Sequence, residues 1–360
     1  MNLMEIDYIN GQSRVTLNGI SRYQNEIHRR LNVKLNTIEF TPANVKLGNF
    51  DLGTVIKLYL IYPLIVRKNI KKNNIKHVTS QNIAFLLNMI KLENSIVTCY
   101  DLIPWVYDNN RSFIWKSNIR GLKEADRIIT ISEFSKNEII KYLKFPAEKI
   151  EIVHPAVNHE RYNMIKDRRS ILDKTNVSKD DNIVLYVGSE EPRQNVDKLI
   201  RAFAKLKEKL PNIKLIKIGN PNSNKFRENS LKLVNILNLQ NDVIFVDYVC
   251  EEDLPKWYNA ADLLVYPCAY AGFGLPPLEA MACGTPVITS NTTSLPEVVG
   301  DAGIMVNPDD VQELAIKMLE VLTDNGLSDE LAKKGLKRAK LFNWDESARK
   351  TLQIYEEIND

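Results

Sequence analysis

The 360-residue chain is 44% hydrophobic and 26% charged with a net charge of +3, which fits a globular protein of two domains and excludes a disordered or fibrous one. Its four cysteines, Cys99, Cys250, Cys268 and Cys283, are scattered without a Cys-x-x-Cys pair, which argues against a zinc site or disulfide framework and for a reducing compartment. No apolar run reaches the roughly 18 residues of a transmembrane helix, and MNLMEIDYIN has no apolar core of signal-peptide type.

Charge is uneven. Residues 1–160 hold 22 Lys+Arg against 15 Asp+Glu, and the remainder 26 against 30. A basic first half suits an anionic surface or a phosphate-bearing acceptor, or is an ordinary solvated surface. This half alternates short apolar runs with helical patterns, as a parallel sheet wrapped by helices does. Met4 to Ile9 reads as a strand. A glycine turn at Gly19 leads into a helix with Ile20, Tyr23, Ile27 and Leu31 on one face and Arg22 beside them. Leu52 to Val66 is apolar but broken by Lys57 and Pro63, and Arg67, Lys68, Lys71, Lys72 and Lys76 follow. Such a helix either rests on a membrane surface or is a core helix with a dipole-matched basic end. His77 to Ser80 and Ile96 to Tyr100 read as further strands, the second running into Asp101. Residues just past strand carboxyl ends line the ligand crevice in open α/β sheets, although Asp101 also suits a turn. Ala125 to Ser132 reads as a strand, Ser132 or Ser135 can cap the helix that follows, and Ile150 to Pro155 closes the first domain. His154 and His159 lack partners at metal-ligand spacing.

Residues 158 to 180 are polar, as in a hinge. A second α/β pattern starts at Ile183 to Gly188, followed by Ser189, Glu190, Glu191, Pro192, Arg193, Gln194 and Asn195, then an amphipathic helix carrying Leu199, Ile200, Phe203 and Leu206. A glycine at a strand end before a basic loop suits a diphosphate. The alternative for Arg193 is an ion pair with Glu190 or Glu191. Lys214 to Gly219 and Asp242 to Val249 read as strands, the latter including Tyr248. After an apolar run at Leu263 to Tyr266 comes AGFGLPPLEAMACG, residues 271–284. Pro276 and Pro277 mark a helix start and Gly284 its C-cap. The N–H groups of Phe273, Gly274 and Leu275 then form an anion site. Glu279 falls in the first turn, facing ribose hydroxyls or capping the helix. Ser294-Leu-Pro-Glu297 reads as a capping box.

The stretch from Pro267 to Val287 closely resembles the signature of the retaining family 4 glycosyltransferases, Pro-Ser-x-Tyr-Glu-Gly-Phe-Gly-Leu-Pro-x-Leu-Glu-Ala-Met-Ala-x-Gly-x-Pro-Val. The likeness extends over nearly the whole chain and is strongest from 183 to 358. It implies a GT-B fold: α/β, with two Rossmann-like domains facing each other across a cleft and a C-terminal helix crossing back to the first. The expected domains are 1–157 for the acceptor, 158–337 for the donor and 338–360 for the returning helix. The resemblance implies donor contacts at Gly188, Ser189, Arg193, Gln194, Tyr248, Val249, Phe273, Gly274, Leu275 and Glu279. It assigns Gly19, Arg22 and Tyr23 to the acceptor side and Tyr100, Asp101, Arg193 and Ala271 to the catalytic set. Three positions depart from the family: Ala271 replaces its first glutamate, Gln194 a lysine and Tyr100 a histidine.

The expected reaction is transfer of a hexose or deoxyhexose, with retention, from a GDP-, UDP- or dTDP-sugar to a lipid-linked oligosaccharide or polysaccharide. The competing reading is a catalytically impaired or inactive nucleotide-sugar or glycan binding subunit. No Asp-x-Asp occurs, so neither a metal nor another cofactor is expected, and no nucleic-acid partner. The expected location is cytoplasmic, with peripheral membrane contact through the basic first domain.

Overall fold

The computed structural model describes residues 4–11, 19–40, 56–175 and 177–359; Asn18 and residues 52–55 of the apolar run lie outside them. The chain divides into two compact units, Met1–Pro155 with Trp344–Asp360, and Ala156–Asn343. Residues 338–343, expected with the returning helix, therefore belong to the second unit.

In unit 1 the described strands are β1 (Glu5–Asn10), β2 (Lys34–Glu39), β3 (Ile75–Val78), β4 (Ser95–Cys99), β5 (Arg127–Thr130) and β6 (Ile150–Ile152), in the parallel order β2-β1-β3-β4-β5-β6. The central strands β3 and β4 are buried on both faces; β4 is largely apolar, whereas β3 buries Lys76 and His77. Helix α1 (Gly19–His28) turns Tyr23 and Ile27 inward. Helix α2 (Tyr62–Asn69) follows a π-turn at Lys57–Ile61, with Pro63 tolerated in its first turn. Helix α3 (Phe113–Lys123) precedes β5, and α4 (Glu133–Glu138) follows it. Of the two candidate serines, Ser132 caps α4, its Oγ accepting from the Ser135 N–H at 3.0 Å.

The last helix belongs to unit 1. There His77 on β3 lies 2.6 Å from the Tyr355 hydroxyl and 2.7 Å from Thr98 Oγ1. Burial pushes the His77 pKa down from 6.5 to about 3. In the unfolded chain the imidazole protonates near its ordinary value, so stability is complete above about pH 6.5 and is lost as pH falls toward 3, at about 1.4 kcal/mol per pH unit. Denaturant titrations of unit 1 between those limits should show this slope, and His77→Gln should remove about one proton's worth of it.

Unit 2 holds β7 (Asn182–Val187), β8 (Ile213–Ile218), β9 (Val243–Val246), β10 (Leu263–Tyr266), β11 (Val287–Ser290) and β12 (Ile304–Val306), ordered β12-β11-β10-β7-β8-β9. Its helices are α5 (Val196–Lys207), α6 (Asn224–Ile236), α7 (Leu254–Ala260), α8 (Leu275–Ala282), α9 (Leu295–Val299), α10 (Val311–Thr323) and α11 (Asn325–Ala339), before α12 (Trp344–Asn359) of unit 1. The α5 stripe Leu199, Ile200, Phe203 and Leu206 is fully buried, each side chain contributing about 1.5–3 kcal/mol. The 158–180 segment, expected as a hinge, packs onto this unit. Ile171, Leu172 and Val177 are buried, and Arg169 grips both Asp262 oxygens at 2.7 Å.

Candidate functional site

Strand order in unit 2 reverses between β7 and β10. Ligands bind at such switch points, beyond the carboxyl ends of the strands. Two loops meet there: Gly188–Asn195 after β7 and Pro267–Gly274 after β10. Asn195 joins them from its buried position, donating from Nδ2 to the Pro267 carbonyl at 3.0 Å and the Pro308 carbonyl at 3.1 Å. The Ala269 N–H donates to the Arg193 carbonyl at 2.8 Å, and Arg193 Nη1 to the Tyr270 carbonyl at 3.2 Å.

A row of hydroxyls at the end of β11 and just beyond it holds the second loop. Ser290 Oγ donates to the Cys268 carbonyl, and Thr292 Oγ1 to the Ala269 carbonyl at 3.2 Å. Thr293 Oγ1 accepts from the Ala271 N–H at 3.2 Å. Ser294 Oγ shares its proton between the carbonyls of Ala271 at 2.9 Å and Phe273 at 2.7 Å. The expected capping box is therefore absent: Ser294 begins α9 but makes no side-chain cap bond. Its hydroxyl has carbonyls to satisfy inside the fold, and this tertiary demand overrides the local one. Gly274 has φ +122° and begins α8, a backbone setting that favours glycine. Leu275 is the first helical residue, the two prolines follow, and Gly284 sits past the end at φ +73°, all as the spacing predicts. Phe273 is buried edge-to-face on Phe342, 5.6 Å between centroids.

Arg193 is the cation of the first loop. Its Nη2 pairs with Glu191 Oε2 at 2.8 Å, the alternative raised for it, and Ser189 Oγ donates to the same oxygen at 3.2 Å. Gln194 is buried, with Oε1 3.1 Å from the Tyr186 hydroxyl, which also lies 2.9 Å from the Ser189 carbonyl. Glu279 does not lie in the first turn of α8, which contains no acidic residue. Helix numbering from Leu275 puts it one turn deeper, and the dipole argument lapses there. It is 3% exposed, and its Oε2 accepts the Tyr258 phenol proton at 2.7 Å. Strand β9 stops at Val246, leaving Tyr248 exposed and Val249 half-buried beyond it.

Pattern reading missed a buried charge cluster at the same sheet edge. Glu190 Oε1 meets Lys217 Nζ at 2.8 Å and Arg227 Nη2 at 2.7 Å, and Arg227 Nη1 meets Asp247 at 2.7 Å. Burial opposes the charged form of Glu190, but Arg227 and Lys217 outweigh it and hold the carboxyl below its ordinary value. Lys217 also donates to the Gly219 carbonyl. Gly219, at φ +118°, is so close to Gly188 that a Cβ would lie 2.7 Å from the Gly188 oxygen. The cluster thus supports the base of the Gly188 turn. By the two-residue strand period Lys217 shares its face of β8 with the buried Ile213 and Leu215, a local hint that it faces inward.

In unit 1, Gly19 opens α1 and Arg22 is half-buried on it. Tyr23, expected at the acceptor side, is in the core. Its hydroxyl donates to the Val153 carbonyl at 3.2 Å, and its ring packs edge-on to Tyr100 and Trp344. Tyr100 is also buried, its phenol oxygen accepting from Gln24 Nε2 at 3.2 Å. An aromatic ring at a strand end is drawn into any adjacent apolar space, which position alone does not reveal. Asp101 Oδ1 accepts the Ile103 N–H at 3.0 Å, the turn role raised as its alternative.

Residues 26–161 match Glycosyltransferase Family 4, and residues 167–338 match Glycosyl transferases group 1. The chain is 34% identical over 273 residues to O-antigen chain mannosyltransferase B of Escherichia coli, covering 74% of this chain and 71% of that one. It is 31% identical over 279 residues to the serotype-specific mannosyltransferase WbdA of Escherichia coli, covering 72% of this chain but 33% of that one. Sucrose-phosphate synthase from Thermosynechococcus elongatus shares the fold with a TM-score of 0.81, at 21% identity over 98% of both chains. Anabaena HepE, solved with UDP and glucose, also has a TM-score of 0.81, at 15% identity over 98% of this chain and 99% of that one. With both domain families in sequence, two parallel six-stranded sheets and these relatives, the chain belongs to the family 4 glycosyltransferases of GT-B fold.

Proposed function

We propose that this glycosyltransferase moves a mannosyl residue, with retention, from a nucleoside-diphosphate sugar to a lipid-linked oligosaccharide or polysaccharide. The observation that carries the reading is the likeness to an O-antigen chain mannosyltransferase over 74% of the chain. The neighbour holding UDP and glucose supports a nucleotide-sugar donor. The acceptor oxygen bonds to the anomeric carbon as the bond from that carbon to the diphosphate oxygen breaks. The departing phosphate oxygen takes the acceptor's proton, and nucleoside diphosphate leaves. No strong protein base is required, so the chain contributes orientation and charge stabilisation.

In this scheme Arg193 and the N–H groups of Phe273, Gly274 and Leu275 neutralise the diphosphate without a protein-bound metal. Gly188, Ser189 and Gln194 border it. Glu279 receives the ribose hydroxyls, and Tyr248 and Val249 border the base. Arg22, at the start of α1, faces the acceptor. A lipid-linked acceptor places the enzyme at the inner face of a membrane, with contact through unit 1.

The binding-subunit reading is favoured by Ala271, which is buried with its N–H on Thr293 and its carbonyl on Ser294 where the family has a carboxylate. A panel of GDP-, UDP- and dTDP-sugars decides between them. Turnover of a mannosyl donor, read as released nucleoside diphosphate, is the expected result; binding of a donor with no release from any of them overturns the enzyme reading. Ala271→Glu should raise turnover about tenfold or more by returning a charge near the transferred sugar. Unchanged turnover would show that this carboxylate is dispensable here.

A further inference from the structure

We infer that the outer face of the π-turn and α2, with the lysine pocket that follows it, is a docking surface for an anionic phospholipid bilayer. One side of this segment is anchored. Tyr62, Pro63 and Val66 are buried, the Tyr62 hydroxyl donates to the Asn10 carbonyl at 2.8 Å, and the Tyr59 ring lies 4.3 Å from that of Phe85. The opposite side is apolar and exposed. Ile56, Leu60, Ile61, Leu64 and Ile65 all face outward, with Leu60 62% and Leu64 65% exposed. Single exposed aliphatic residues need no explanation, but five within ten residues on one short helical segment form a patch that marks an interaction site.

The identity of the partner follows from charge. The four-residue steps Ile56, Leu60, Leu64 end on Lys68, and Arg67 lies beside it, both exposed. Beyond the helix end, Ile70, Lys71, Lys72, Lys76, Lys91 and Glu93 line a cavity of about 310 Å³. Lys91 pairs with Glu93 at 2.9 Å and Lys71 with Glu5 at 2.7 Å. Lys76 is turned onto the carbonyls of Lys72 and Asn74. With Glu5 counted, the pocket holds four lysines against two glutamates. An aliphatic ridge bordered by cations matches a surface whose acyl chains lie just beneath phosphate headgroups. Among the described residues no helix is long and apolar enough to cross a membrane, so the segment lies on the bilayer. Within unit 1 the cavity lies at the amino ends of β3 and β4.

This surface deepens the membrane contact proposed above, yet its test needs no sugar donor, so the two can fail separately. The full chain is sedimented with vesicles of phosphatidylcholine alone and of phosphatidylcholine mixed with phosphatidylglycerol. Binding to the mixed vesicles that weakens with salt is expected. Leu60→Ser with Leu64→Ser should weaken it by about tenfold or more. Lys68→Gln with Lys72→Gln should weaken it about tenfold and flatten the salt dependence. Thermal melts of both variants should match the parent, since the altered side chains are exposed. Equal binding to both vesicle types, or a leucine variant that binds like the parent, overturns the inference. So does self-association in sedimentation velocity that the leucine changes abolish, because the ridge then serves a second copy.

Discussion

Arg193→Ala should lower kcat by about 10²–10³-fold, the usual cost of removing one preorganised group that stabilises developing charge. In the proposed reaction charge develops on the departing diphosphate, and the loop after β7 offers it a single cationic side chain, Arg193, its neighbour Gln194 being neutral. The guanidinium already lies between the two loops, on the Tyr270 carbonyl and on Glu191. It needs only to exchange Glu191 for phosphate. Arg193→Lys separates charge from scaffolding: it keeps the charge but loses the planar fork. Recovery of about a tenth of the parent rate would assign the effect to charge. The main-chain link from Ala269 to the Arg193 carbonyl survives both changes, so the loop does not detach. A kcat within about threefold of the parent for Arg193→Ala would remove the residue from the reaction.

Glu279→Ala should cut kcat/KM by about 10²-fold, chiefly through a higher donor KM, because hydrogen bonds to a charged group contribute about 1.5–3 kcal/mol each. The ribose reading requires a carboxylate held in one orientation, and the Tyr258 phenol at 2.7 Å on Oε2 supplies it. Tyr258 is itself fixed, its carbonyl accepting from Thr285 Oγ1 at 2.6 Å. Tyr258→Phe should therefore raise KM only several-fold, by freeing the carboxylate to turn. The capping or packing alternative predicts something else: a lower melting temperature for Glu279→Ala with an unchanged donor KM. Isothermal titration with nucleoside diphosphate and with free phosphate separates the two, since only the former carries a ribose.

Much of this protein could be read locally. Strands such as β4, β7 and β10 showed as apolar runs because parallel strands covered on both faces have no polar side to present, whereas the edge strand β2, with Lys34, Asn36 and Glu39, did not show. The start of α8 and the position of Gly284 followed from proline lacking an N–H and glycine tolerating a positive φ. Ser132 capped its helix because the N–H it satisfies is three residues away. Each of these depends on neighbours within one or two turns of chain. The order β12-β11-β10-β7-β8-β9 was not legible in that way, and it decides which loops meet. Only the folded unit shows that Ser294 is needed by the carbonyls of Ala271 and Phe273 more than by its own helix. Only there does Glu190 find Lys217 and Arg227, or Glu279 find Tyr258, all more than twenty residues distant. Tyr23 and Tyr100 make the same point from the other side: the chain placed one on a helix face and the other at a strand end, and only the folded unit packs their rings edge to face. Turn and cap chemistry is short-ranged and written in adjacent residues, whereas desolvation and pairing of buried groups depend on distances that exist only once the sheets have formed.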